Sequence, residues 1–362
     1  MSGVFGENIK ISIFGESHGG GIGVTLHGLP SGIALDMEAI SREMARRAPG
    51  GSPLSTARSE ADEPEILSGY FNGFTTGTPL TALIRNRDTR SRDYAQLQDT
   101  VRPGHADYTG AVRYAGFQDY RGGGHFSGRI TAPLVFAGAV CKQILKRKGV
   151  VIGAHILSIH AVQDRALEIE TCTERTLEGF AGQELPVLDA QAGAAMREAI
   201  LSAKKQGDSV GGVIECAVVG LAAGIGDPFF DSVESVLSHI LFAIPGVKGV
   251  AFGDGFAMAR QFGSQCNDPF YYDEQGRVRT RTNVNGGVNG GITNGMPLCF
   301  QVACRPTASI AKEQDTVSLE KKQPAKLIVH GRHDPCIVPR AVPVVEAAAA
   351  IAILDMMGGR RA

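Results

Sequence analysis

The order of elements along the chain predicts an α+β fold with largely antiparallel strand pairing. Strand-like alternation and helical periodicity follow one another without the steady strand–helix alternation of a doubly wound sheet. The 362 residues are 43% hydrophobic and 20% charged, which suits a globular chain with a sizeable core. Forty-seven glycines without a repeating period point to many tight turns and close backbone approaches. No low-complexity linker divides the chain, so residues 1–362 read as a single domain.

Ile9, Ile11 and Ile13 alternate with Asn8, Lys10 and Ser12, the pattern of a half-buried strand that runs into Gly15. A helix is predicted over 37–47, with Asp36 as its cap and Met37, Ile40 and Met44 on one face. A second spans about 132–148, with Thr131 as cap, Pro133 in its first turn and Gly149 as its stop. A third covers 190–206. A fourth covers 232–243, where Val233, Val236, Leu237, Ile240 and Leu241 recur at helical spacing before Pro245-Gly246. The last runs from near Pro343 to Gly358-Gly359. Strands are predicted at 80–85, 212–219, 249–259, 297–304 and 326–330. Thr76-Gly77-Thr78-Pro79-Leu80 and Thr293-Asn294-Gly295-Met296-Pro297-Leu298 echo each other, as a duplication or as coincidence in a glycine-rich chain.

The formal net charge is -1, so no global basic field recommends nucleic acid or an anionic membrane as partner. Seven cysteines lie without CxxC spacing, which reads as buried free thiols in a reducing cytoplasm. No secretion signal and no apolar run of spanning length are expected; Val344 to Leu354 reads as a buried helix.

Chemistry gathers in three glycine-rich stretches. These are GESHGGGIG at 15–23, RPGHAD at 102–107 with RGGGHFSGR at 121–129, and GRHDPCIVPR at 331–340. Glycine lets backbone N–H groups turn toward an anion, arginine adds a fixed positive fork, and histidine moves a proton near neutral pH. The middle stretch runs from a glycine loop into a predicted helix N-terminus, a ready anion site, with Arg121 among its donors. His105 lies between Arg102 and Asp107, and a carboxylate brought near a histidine can fix its tautomer, though sequence alone does not show that Asp107 is brought there. Arg46 and Arg47 end a helix, where complementing the helix dipole is the plain explanation. GESHG also matches the GxSxG nucleophile elbow, but strand rather than helix follows it, which disfavours a serine hydrolase using Ser17. His333-Asp334-Pro335-Cys336 lacks the second cysteine of a zinc deaminase pattern, because Pro339 stands there, so no metal is expected.

Taken in order, FGESHG at 14–19, RRAPGG at 46–51, EILSG at 65–69, RSRDY at 90–94, RPGHADYTG at 102–110, DYRGGGHFSGR at 119–129, IPGVKGVAFGDGF at 244–256, NGGVNGGITNGMP at 285–297, RPTASI at 305–310 and GRHDPCIVPRAVPVVEA at 331–347 closely resemble chorismate synthase. The resemblance covers almost the whole chain. It implies a sandwich of antiparallel sheets and helices in two pseudo-symmetric halves. It also implies conversion of 5-enolpyruvylshikimate 3-phosphate to chorismate and phosphate by a 1,4-elimination that requires reduced FMN. By the same resemblance, His18 protonates the leaving phosphate, His105 serves the reduced flavin as proton donor, Asp334 is the base, and Ser17 and Ser127 orient substrate or relay a proton. Arg47, Arg102, Arg129, Arg332 and Arg340 clamp anionic groups. His125, Phe126, Ser127, Pro245, Gly246, Gly290, Arg305, Thr307, Ser309 and Arg332 match the FMN-binding positions. Members are usually homotetramers. Some use NADPH to reduce their own flavin and others take electrons from a separate reductase.

Three positions depart from the commonest family pattern. His125 replaces an arginine, Ile130 replaces a glutamate, and Pro53 stands where many members carry a further arginine. These changes bear on the phosphate contacts of both loops.

Overall fold

The structure is a computed structural model, and it describes residues 3–50, 52–56, 60, 62–87, 97–329, 331 and 333–358. Two five-stranded sheets form its frame, each wholly antiparallel. The first takes its strands in the spatial order Val4–Phe5, Lys10–Gly15, Gly21–His27, Leu80–Arg85 and Pro64–Ser68. The second runs Val247–Phe252, Leu298–Cys304, Gly212–Val219, Val151–Ile159 and Val162–Gln163.

The helices are α1 (Met37–Arg47), α2 (Asp107–Arg113), α3 (Thr131–Lys146), α4 (Glu174–Phe180), α5 (Ala190–Lys205), α6 (Val233–Phe242), α7 (Gly263–Cys266) and α8 (Val338–Gly358). Helix α3 packs on the first sheet, α8 on the second, and the two helices pack on each other, so a helical layer lies between the sheets. The α3–α8 approach needs small residues. A Cβ at Gly138 would stand 2.2 Å from the Cβ of Ala347, and Ala347 to Ala350 are fully buried on α8. Helix α8 is long and apolar enough to cross a membrane, yet it is mostly buried inside this core.

The cap on α1 follows the sequence, and α5 and α6 are capped in the same way. Asp36, Asp189 and Ser232 accept N–H bonds from the first turn of each. Thr131 does not cap α3. Its hydroxyl donates to the Gly128 carbonyl at 2.6 Å, and the short turn Gly128–Ile130, capped by Ser127, leads the chain in. Helix α8 begins five residues before Pro343, which sits inside it. The strand expected at 249–259 stops at Phe252, because Gly253 takes φ +53° with the Val284 carbonyl in the place of a Cβ. The strand expected at 326–330 is Gln323–Leu327, paired with Gln314–Ser318 in a separate hairpin. Val151–Ile159 is buried on both faces, so its apolar run lacks the alternation that marks a strand in sequence.

The sequence echo corresponds to one local structure used twice. Hairpin Tyr70–Phe71 with Phe74–Thr75 precedes Leu80–Arg85, and hairpin Val288–Asn289 with Ile292–Thr293 precedes Leu298–Cys304. The buried Thr75 hydroxyl accepts from Ile33 N at 3.0 Å and donates to Pro30 O at 2.6 Å. Thr293 does the same with Ile225 N at 2.9 Å and Ala222 O at 2.7 Å.

Candidate functional site

A cavity of about 880 Å³ is lined by segments from both ends and the middle of the chain. Its lining includes the apolar side chains Val4, Phe5, Ile11, Ile13, Leu134 and Phe242. It also includes Arg47, Arg102, Arg129, Arg305 and Arg340, together with His105, Asp334 and Ser309. The C-terminal end of α1, the start of α2, the glycine loop, the turn after α6 and the first turns of α8 deliver these groups.

The RPGHAD turn is a closed trio. Arg102 grips Asp107 with Nε and Nη2, each at 2.7 Å, and its backbone N–H adds a third bond at 2.9 Å. His105 Nδ1 lies 2.7 Å from Asp107 Oδ1 and 2.9 Å from Arg102 Nη2. Burial alone would raise the Asp107 carboxyl. Hydrogen bonds from Arg102 and His105 outweigh it and hold the group well below the ordinary carboxylate range. An ionised Asp107 accepts the Nδ1 proton, so Nε2 is left on the far edge of the ring, where the glycine loop packs. A Cβ at Gly123 would come within 3.3 Å of Nε2.

The glycine loop 122–124 runs at φ +60°, +86° and +53°, a backbone path that side chains oppose. Ser17 and His18 lie beneath it rather than on the cavity surface. Ser17 is fully buried and His18 is 7% exposed. Ser17 Oγ contacts the carbonyls of Arg121 and Gly122 at 3.2 and 3.1 Å and His18 Nδ1 at 3.1 Å. A Cβ at Gly122 would fall 2.1 Å from His18 Cε1. Because Gly122 lines the cavity, only side-chain-free backbone separates His18 from it. Strands lie on both sides of Ser17, and the geometry of a nucleophile elbow is absent there.

His125 is exposed, lines the cavity, and bonds through Nδ1 to the Gly15 carbonyl at 2.9 Å. Phe126 lies over Gly110, with its ring centroid 6.2 Å from that of Tyr114. Ser127 Oγ accepts from Arg129 N at 3.3 Å. Arg121 turns aside to pair with Asp119 at 2.8 Å. Ile130 is buried in the cavity wall, while Pro53 is exposed and its carbonyl accepts from Lys204 Nζ at 2.7 Å.

Arg47 and Arg129 are 2% and 5% exposed. Both meet Asp62, and Arg129 also meets Glu60 at 2.9 Å. Arg340 Nη1 donates to Asp334 Oδ2, and its Nε donates to the Arg47 carbonyl at 2.9 Å. Thr56 N donates to the other Asp334 oxygen at 2.9 Å. Asp334 is therefore oriented from two sides.

Pro245, Gly246, Arg305, Thr307 and Ser309 also border the cavity. Arg305 N donates to the Gly246 carbonyl at 2.9 Å, and Ser309 Oγ accepts from Arg102 Nη1 at 3.2 Å. Thr307 Oγ1 is buried with no hydrogen-bond partner. An orphan hydroxyl in a cavity lined by guanidiniums and apolar side chains suits a large planar cofactor that carries polar edges and a phosphate. Gly290 is not part of this wall. It lies in the turn of the second hairpin, where φ +63° accounts for a glycine. Arg332 lies outside the described residues.

Sequence reasoning overlooked Asp62, Glu60, Thr56 and His333. The acidic run after RRAPGG reads as solvated surface, and nothing local shows that it folds back onto buried arginines. His333 belongs to a motif already singled out. Its ring lines the cavity, and burial, reinforced by Arg102, pushes its pKa down to about 4.

An α+β sandwich with a guanidinium-rich wall and a carboxylate-held histidine defines an enzyme cavity for an anionic small molecule. The family model described as chorismate synthase matches residues 9–357. Chorismate synthases of Thermococcus gammatolerans and Pyrococcus abyssi are 46% and 45% identical over 357 residues, covering 99% and 98% of this chain and 98% of each relative. That of Methanothermobacter thermautotrophicus is 42% identical over 352 residues, covering 97% of this chain and 93% of its own. A crystal structure of a chorismate synthase superposes with a TM-score of 0.76 at 28% identity, covering 97% of this chain and 92% of its own. The chain belongs to the chorismate synthase family, and it is a lyase of the shikimate pathway.

Proposed function

We propose that the chain converts 5-enolpyruvylshikimate 3-phosphate to chorismate and phosphate by 1,4-elimination in this cavity, with reduced FMN bound beside the substrate. The observation that carries the reading is the gathering of apolar side chains and five arginines in the lining of a single cavity. Reduced FMN would lend an electron to the substrate as phosphate leaves and recover it afterwards. Pro245, Gly246, Phe126, His125, Ser127, Arg305, Thr307 and Ser309 would hold it, and the orphan Thr307 hydroxyl favours that fit.

The protein's own groups supply position, charge and proton control. Arg47, Arg102, Arg129 and Arg340 neutralise the phosphate and carboxylates, with Arg332 joining them by resemblance. Asp107 holds the Nδ1 proton of His105, so Nε2 exchanges protons on the cavity side. Asp334, oriented by Arg340 and Thr56, accepts the ring proton at a carboxylate oxygen. By the resemblance His18, backed by Ser17, is the proton donor to the leaving phosphate, a role that requires the loop at Gly122 to move aside and bring the ring within hydrogen-bond reach. Ser127 orients the substrate. Gly290 would contribute to flavin binding only from outside this wall.

A homotetramer in the cytoplasm completes the reading, with no nucleic acid or membrane partner and with NADPH as a candidate reductant. Anaerobic incubation of the protein with the substrate and reduced FMN should release chorismate and phosphate in equal amounts. No product from folded protein would overturn the assignment. Light scattering reads the tetramer, and NADPH oxidation by protein plus FMN reads the reductant.

A further inference from the structure

Arg47 and Arg129 enter the proposed function as clamps for substrate anions, and the inference rests on that reading and deepens it. Each guanidinium is already met by one carboxylate that the cavity surface does not show. The Asp62 side chain is 0% exposed. Its Oδ2 stands 3.1 Å from Arg47 Nη1, and its Oδ1 accepts from Arg129 Nη1. Asp62 is absent from the cavity lining, whereas Arg47, Arg129 and Glu60 are part of it. The carboxylate therefore backs both guanidiniums from behind. Glu60 Oε2 reaches the same Arg129 nitrogen at 2.9 Å.

Two further facts set this group apart from an ordinary ion pair. Arg47 is almost fully buried, yet its Nε has no hydrogen-bond partner, and its Nη1 faces Asp62 at 3.1 Å as an ion pair without hydrogen-bond geometry. A buried guanidinium with unused donors is costly unless a ligand takes them. Asp62 also adopts φ +49°, a conformation that residues other than glycine seldom take without cause. Placing its carboxylate between two arginines is such a cause.

We propose that Asp62, with Glu60 as its lesser partner, is the positioning residue of a tetrahedral-oxyanion subsite formed by Arg47 and Arg129. In the ligand-free protein it keeps two like charges oriented at one wall. It engages Arg47 through Nη1 and leaves the rest of that cavity-lining guanidinium for phosphate, and its own negative charge limits how tightly that phosphate is held. A departing phosphate is thereby released rather than trapped.

The test uses inorganic phosphate and needs no turnover, so its result is independent of whether chorismate is made. Titration calorimetry should show Asp62→Asn binding phosphate several-fold more tightly than the unaltered protein, Glu60→Gln showing a smaller gain, and Asp62→Glu staying near the original affinity. Thermal unfolding should show phosphate restoring the stability of Asp62→Asn beyond what chloride does at equal ionic strength. A purely structural carboxylate would not produce that anion selectivity. Unchanged or weaker phosphate binding by folded Asp62→Asn overturns the proposal. If Asp62→Asn folds in neither salt, Glu60→Gln decides: tighter phosphate binding supports the proposal and unchanged binding overturns it.

Discussion

Arg46 and Arg47 are neighbours in the last turn of α1, Arg46 partly buried and Arg47 almost fully so, and they meet opposite fates. Arg46 reaches into the helical layer, where Nη1 and Nη2 grip Glu346 at 2.7 and 2.8 Å and Glu43 adds a bond at 2.9 Å. Lys142 completes the cluster with bonds to Glu346 at 2.7 Å and Glu43 at 2.9 Å, and Ala154 N caps Glu346 at 3.1 Å. Burial would lower the Arg46 pKa, but attraction to Glu346 reverses that and raises it. Burial likewise lowers Arg47, to about 9. Asp62 opposes the shift, while Arg340 and Arg129 add to it. At neutral pH Arg47 stays charged. The difference is closure. The first cluster balances its charges and spends its donors internally, whereas the second keeps the Arg47 Nε unspent in a residue that lines a cavity. Buried ionic groups of one chemistry thus serve as scaffold in one case and as binding surface in the other.

The sharpest way to break this comparison is at Glu346. Replacing it by Gln leaves Arg46 and Lys142 under-compensated in the core, and denaturant unfolding should show a loss of about 3–5 kcal/mol. Turnover per folded molecule should change little. A loss under about 1 kcal/mol would remove the distinction between the clusters.

On the cavity side the effect should fall on rate. Asp107→Asn frees the His105 tautomer and unbalances Arg102, so kcat should drop by about 10²-fold with the fold retained. A near-original rate would take the trio out of proton control.

The smallest expected effect is in pH. The His333 ring titrates near 4 in the folded protein, depressed first by burial and then by Arg102, against about 6.5 when unfolded. Between those values the unfolded chain binds the extra proton. This part of the stability is therefore complete above about pH 6.5 and is lost as pH falls toward 4. Unfolding midpoints for His333→Gln should show a flatter decline across that window; an identical decline would place the sensitivity in other groups.

Much of this was legible beforehand. The α+β class, the Asp36 cap and the helices near 190–206 and 232–243 follow from residue patterns, whereas a shared pocket for RPGHAD and GRHDPC came from the family resemblance. Val151–Ile159 was not legible, because burial on both faces erases alternation. Nor was the depth of Ser17 and His18, since glycine permits both exposure and close cover. Dipole complementarity explained Arg46 and Arg47 from the helix alone, and the structure replaces it with two separate clusters.

Local chemistry in the sequence determined which groups exist to bind anions and move protons: the arginines, the histidines, Asp334, and glycines tolerant of left-handed backbone. Tertiary structure alone decided which carboxylate each arginine would meet. Asp62 is fifteen residues from Arg47 and sixty-seven from Arg129, and Glu346 is three hundred from Arg46. Such pairings depend on how the sheets and helices pack, and burial then sets how strongly each pair counts.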